Sequence, residues 1–183
     1  GIILASQFAE IDPYRAATHN KGVMNGIDPL AVATGNDWRA IEAAAHAYAA
    51  KDGRYTSLTK WRAADDGALI GTIEIPIKVG IIGGSLEANE TAMISKRILN
   101  VGSATELAEL MAAVGLAQNF SAIKALSTEG IQKGHMSLHA RSVAVTAGAP
   151  KELFELVVSK LVEQGDVTVT AAKKLIAELT ETK

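Results

Sequence analysis

Asp12–Asp28, DPYRAATHNKGVMNGID, is the stretch whose reading decides how the front of the chain folds. Before it, Ile2 to Ala9 has the apolar spacing of the end of a helix. Pro13 disfavours helical geometry at Asp12, so that helix is expected to stop there. Tyr14 to about Asn25 then reads as a loop with glycines beside its lysine. From Ile27 the chain reads as helix again, with Asp28–Pro29 resembling an N-cap followed by Pro at the first helical position. The alanine-dense run to Ala50 has high helix propensity, and Gly35 interrupts it.

Further along, Lys51-Asp52-Gly53 ends the helical region. Tyr55 to Trp61 and Leu69 to Ile75 read as two strands of a hairpin around the polar turn Asp65-Asp66-Gly67. Lys78 to Gly84 continues as an apolar, glycine-broken segment, and a helix is expected over Ala88 to Leu99. Ser103 is placed to cap a long helix from Ala104 to Ser127, and Ile131 to Ala147 forms another, with Gly130 and Gly134 as breaks. After Ala149-Pro150 the composition shifts to ordinary amphipathic helices, Glu152 to Gln164 and Thr170 to Leu179, a helical appendage linked near Gly148. The class is α+β: a helix-rich portion with a small sheet, followed by a helical tail.

At 183 residues the chain is long enough to bury a core without staples. It has no cysteine, which excludes disulfides, thiol nucleophiles and thiolate metal sites and agrees with a reducing cytoplasm. A net charge of -2 with scattered Lys and Arg gives no footprint for nucleic acid. The longest apolar run, Ile75 to Ile82, is interrupted by Pro76, Lys78 and Gly80 and falls far short of the roughly 20 residues of a membrane span. The chain opens on Gly1 and Ile-Ile-Leu with no initiator Met and no basic signal-peptide region, so it reads as the continuation of something longer.

Four polar clusters carry the chemistry: Arg15–Asp28, Gly35–Arg39 (GNDWR), Gly115–Asn119 (GLAQN) and Gly134–Arg141 (GHMSLHAR). Arg15 and Lys21 suit a carboxylate and a developing oxyanion, since a guanidinium grips a carboxylate with two bonds while an ammonium acts as a compact point charge. The bland reading of Lys21 is a solvated surface loop. Asp37 would be costly to bury alone, so it either pairs with Lys21 and tunes its acidity or caps a helix beside Arg39. His135 and His139, four apart, share a face if their segment is helical. A metal is set aside there because no third ligand is nearby, which leaves a general acid or a core histidine. Gly80, Gly83 and Gly84 have the spacing G-x-x-G-G, which does not fit a dinucleotide fingerprint and reads as a tight turn. Gln118 and Asn119 put two amides in an alanine-rich helix, where they must find a partner or face a polar ligand.

In this order, Asp12–Asp28, Thr34–Ala40 (TGNDWRA), Gly115–Asn119 and Gly130–Arg141 (GIQKGHMSLHAR) resemble the C-terminal part of a class II (bacterial-type) 3-hydroxy-3-methylglutaryl-CoA reductase. The likeness runs over nearly the whole chain except its last thirty or so residues. It implies two hydride transfers from NAD or NADP to the thioester carbon, giving mevalonate and free CoA. Lys21 matches the family's catalytic lysine and Asp37 the aspartate that bonds to it. His135 matches the histidine that protonates the departing thiolate. Arg15 and Asn25 match positions that hold the hydroxymethylglutaryl group, Gln118 is counted with them, and Arg141 is placed near the cofactor. Residues 1–130 would then belong to the substrate-binding catalytic domain and 131–183 to a mobile helical flap.

The family's catalytic glutamate and its dinucleotide-binding domain would lie upstream of Gly1, so these residues alone are expected to be inactive. The resemblance also implies a homodimer with its active site at the subunit interface. A non-catalytic acyl-CoA-binding or dimerisation module is the alternative.

Overall fold

The computed structural model describes residues 1–83, 88–128 and 130–181, with the side chains of 131–135 and 181 outside the description. In chain order its elements are α1 (Ile2–Ile11), α2 (Pro13–Ala33), α3 (Trp38–Ala49), β1 (Thr59–Ala63), β2 (Leu69–Ile73), α4 (Glu90–Leu99), α5 (Ala104–Ser127), α6 (Ile131–Thr146), α7 (Phe154–Gln164) and α8 (Val169–Glu181). They form two compact units, Gly1–Thr128 and Glu129–Lys183.

Asp12 is where one helix gives way to the next. It is extended (φ -117, ψ 118), and its carboxylate accepts the backbone N–H of Arg15 at 2.7 Å, capping α2 with Pro13 in the first turn. The expected loop from Tyr14 to Asn25 is therefore helix, and Asp28–Pro29 lies inside α2 rather than at its start. Gly22 and Gly26 are poor helix formers, and tertiary packing overrides that weakness. A Cβ on Gly26 would come within 2.8 Å of the Val114 carbonyl oxygen and 3.1 Å of Gly115 Cα. One on Gly115 would meet Ile27 at 2.9 Å. The bare glycines thus let α2 and α5 approach backbone to backbone.

Around this crossing Val23, Met24, Ile27, Ile41, Leu107 and Met111 make the core of the first unit. The helix after α2 starts only at Trp38, because Thr34–Asn36 turn the chain through Gly35 at φ 71. β1 and β2 pair antiparallel from Thr59↔Ile73 to Ala63↔Leu69. The expected first strand began earlier, at Tyr55, but there the Leu58 N–H goes to a side chain and the Thr56 N–H returns to Ala49. Ser103 caps α5 through the N–H of Glu106 at 3.1 Å, as its sequence position predicts. In the second unit Ala140, Ala144, Val157, Leu161, Ala172 and Leu175 fill the space among α6, α7 and α8. Gly130 precedes α6 at φ 84, whereas Gly134 lies within that helix and does not break it.

Candidate active site

Helix α2 divides the candidate residues by face. Lys21 and Asn25 are exposed and lie one turn apart, with half-buried Asp28 one further turn along the same side. The loop expected around Lys21 is thus a rigid helical face. Lys21 makes no hydrogen bond or ion pair among the described residues. Pro29 has no N–H, so the carbonyl of Asn25 lacks its usual helical donor on this face. Arg15 sits around the helix from Lys21, half-buried, and burial draws its pKa below the ordinary guanidinium value.

The opposite face of α2 is held by buried polar bonds. His19 Nε2 lies 2.6 Å from Thr59 Oγ1 and 3.0 Å from Asn119 Nδ2, and the Trp61 indole N–H donates to Asn119 Oδ1 at 2.8 Å. Nε2 thus faces both the Asn119 amide and the Thr59 hydroxyl, which itself donates to Asn119 Oδ1 at 3.0 Å, while Nδ1 is buried without a partner. Burial first, and then the charge of Arg15, push the His19 pKa down to about 4. His19 is therefore a neutral structural residue. Asn20, beside it, sends both arms of its amide into residues 55–58.

Asp37 stands at the start of α3, exposed. Its Oδ1 accepts from the N–H groups of Arg39 and Ala40 at 3.1 and 3.2 Å and lies 3.7 Å from Arg39 Nε. Of the two partners weighed from sequence, the structure brings it to Arg39; no ion pair within 4 Å joins it to Lys21. All these contacts fall on Oδ1. Next to it, Asn36 grips Gly80 in both directions, Nδ2 donating to the carbonyl at 3.2 Å and Oδ1 accepting the N–H at 2.8 Å. Gly80 is thus a strut for the 34–37 turn. Gly84 lies outside the described residues.

Sequence reasoning read Asp28 only as a cap and so missed its chemistry. Burial, then the neighbouring charge and hydrogen bond of Glu42, push its carboxyl up to about 6, and its Oδ1 is buried without a partner. It sits on the side of α2 that carries Lys21 and Asn25. Gln118, exposed on α5, has its Cβ against Gly26, the residue after Asn25.

In the second unit His135 lies on the first turns of α6, with its side chain outside the described residues. His139 is exposed on the same helix. Arg141 is committed locally. Its guanidinium forms a two-pronged pair with Glu155 of α7, one arm at 3.0 Å, and lies 5.4 Å from the centre of the Phe154 ring.

Residues 1–140 match the family model for hydroxymethylglutaryl-coenzyme A reductase. The 3-hydroxy-3-methylglutaryl-coenzyme A reductase of Archaeoglobus fulgidus is 54% identical over 179 residues, which cover 98% of this chain and 41% of that protein. A probable 3-hydroxy-3-methylglutaryl-coenzyme A reductase of Borreliella burgdorferi is 46% identical over 142 residues, covering 78% of this chain and 33% of its own length. Among solved structures, 3-hydroxy-3-methylglutaryl-coenzyme A reductase from Streptococcus pneumoniae superposes with a TM-score of 0.68 at 47% identity, over 97% of this chain and 42% of that one. The class II reductase of the same organism bound to NADPH in open conformations gives 0.68 at 48%, over 98% and 44%. The chain therefore spans between a third and somewhat over two-fifths of the length of these proteins. With a family match over residues 1–140, the chain belongs to the hydroxymethylglutaryl-coenzyme A reductase family.

Proposed function

We propose that these residues serve an enzyme that reduces 3-hydroxy-3-methylglutaryl-CoA to mevalonate and free CoA, or runs the reverse. One observation carries the reading beyond family membership. Lys21 and Asn25 project from one exposed face of a helix whose other face is locked by buried hydrogen bonds, the kind of rigid mounting that oxyanion stabilisation requires. A nicotinamide dinucleotide, NAD or NADP, supplies the two hydrides when bound. The NADPH in the pneumococcal structure supports that choice of cofactor class.

In this reading the Lys21 ammonium polarises the thioester oxygen and holds the negative charge that develops on it at both reductive steps. Asp37, with Oδ2 outside its capping bonds, orients the ammonium. Arg15, Asn25 and Gln118 bind the hydroxymethylglutaryl group, and His135 delivers the proton that the thiolate takes as it leaves. Arg141 meets the cofactor only by exchanging its Glu155 partner for phosphate. Lys21 and Asp37 are not paired within this chain, and α1 exposes Leu4 (70%), Phe8 (53%) and Ile11 (68%) on one face. The exposed apolar face of α1 supports a homodimer with the site at the subunit interface. Residues 1–130 act as the catalytic portion and 131–183 as the moving flap. No described helix is long and apolar enough to cross a membrane, and the enzyme is proposed to work in the cytoplasm.

The test is a Lys21→Ala substitution in the complete protein carrying these residues, followed by nicotinamide absorbance with each cofactor in each direction. Turnover is expected to fall by roughly 10²-fold or more. Wild-type turnover in the variant would remove the assignment of Lys21. Tight CoA binding with no nicotinamide-dependent turnover in the unmodified protein would make it a binding module instead.

A further inference from the structure

We propose that Asn20 and Tyr55 form a positioning bridge that fixes the helix bearing Lys21 against the helix that begins at Asp37. The inference rests on the reductase reading for its kinetic consequence and on geometry alone for the bridge. Asn20 is fully buried, and its amide is used completely: Nδ2 donates to the Tyr55 hydroxyl at 3.0 Å and to the Thr56 carbonyl at 2.9 Å, while Oδ1 accepts the Leu58 N–H at 2.9 Å. A flipped amide would set donor against donor at Leu58 and acceptor against acceptor at Thr56, so only one orientation is satisfied. Adjacent helix residues point about 100° apart, so pinning Asn20 inward also sets the direction of Lys21.

The bridge continues beyond α2. The Tyr55 hydroxyl accepts from Asn20, which frees its own proton for His46 Nδ1 at 2.8 Å, and the two rings stack with centroids 5.9 Å apart. Burial raises the Tyr55 pKa, which keeps that proton on the oxygen. His46 lies in the last turn of α3, the helix capped by Asp37. Elsewhere α2 and α3 meet through the Asp28–Glu42 carboxyl pair near the start of α3 and through apolar side chains such as Ile27 and Ile41, whose contact is non-directional. Hydrogen bonds through one tyrosine oxygen add the direction that apolar packing lacks. A lysine and an aspartate that must act on one substrate gain from such a constraint, because small misplacements of a catalytic group are costly in rate.

Tyr55→Phe is the variant of choice, since it removes one oxygen and leaves the buried Asn20 amide its other two bonds. In the complete protein kcat is expected to fall about tenfold with KM for the thioester within about twofold. In a Lys21→Ala background the same substitution is expected to change residual kcat by less than about twofold, because it acts through the missing ammonium. An unchanged kcat in the single variant, or an equal loss in both backgrounds, would overturn the bridge. If the unmodified protein shows no nicotinamide-dependent turnover, the reductase reading fails and amide hydrogen exchange decides the bridge separately. Faster exchange confined to residues 18–25 of α2 in Tyr55→Phe supports it, and unchanged or uniformly faster exchange overturns it.

Discussion

The two units pack helices by opposite means. In Gly1–Thr128 the central crossing has no side chain between the backbones at Gly26 and Gly115, and polar bonds among His19, Thr59, Asn119 and Trp61 lie beneath it. In Glu129–Lys183 aliphatic side chains such as Val157, Leu161 and Leu175 do the packing, and charge stays outside in the Arg141–Glu155 pair. Close glycine contacts and buried polar groups are expensive, through backbone entropy and lost hydration. In exchange they permit one orientation, whereas aliphatic cores tolerate many substitutions of similar volume. The unit with directional packing is the one that carries Lys21, Asn25 and Asp37.

Three substitutions can break or sharpen this contrast. The largest effect is expected from Gly26→Leu, which drives a Cβ into the Val114 carbonyl and forces α2 from α5. Denaturant unfolding followed by circular dichroism should show a loss above about 4 kcal/mol. A loss under about 1 kcal/mol would mean the crossing is not tight. Next comes the acid response of His19. Its folded pKa of about 4 lies below the ordinary 6.5, so its contribution is whole above pH 6.5 and disappears as pH falls toward 4, on the order of 3 kcal/mol. Asp28, raised to about 6, tilts stability the other way, so the informative quantity is the difference between the parent and His19→Gln across that window. Parallel curves would show that His19 is not held neutral. The smallest effect belongs to Arg141→Met: an exposed ion pair should contribute less than about 1 kcal/mol, and a larger loss would give the second unit a directional bond of its own.

Elements whose signals are local were legible in the sequence. Ser103 and the run to Ser127 define α5 by cap and propensity, and Asp37 was readable as a possible cap. Helix α2 was not, because the dipeptide Asp-Pro occurs at both 12–13 and 28–29 and looks the same each time. Only the first occurrence is a cap. What makes 14–25 helical is the fit of its glycines onto α5, about ninety residues away, which local propensity cannot report. The same distance hid the candidate site's support: His19 meets Thr59 and Asn119 forty and a hundred residues downstream. The polar residue types around Lys21 stood out, whereas their shared face appeared only with the helix.

The indole of Trp61 bonds to the amide that bonds to His19, with Phe120 5.4 Å from it, centre to centre. Ultraviolet emission from that ring depends on its hydrogen-bond partner, so a proton arriving at the imidazole should change the colour of the emitted light. The molecule thus contains its own optical gauge of the struts behind Lys21, readable in solution without any attached dye.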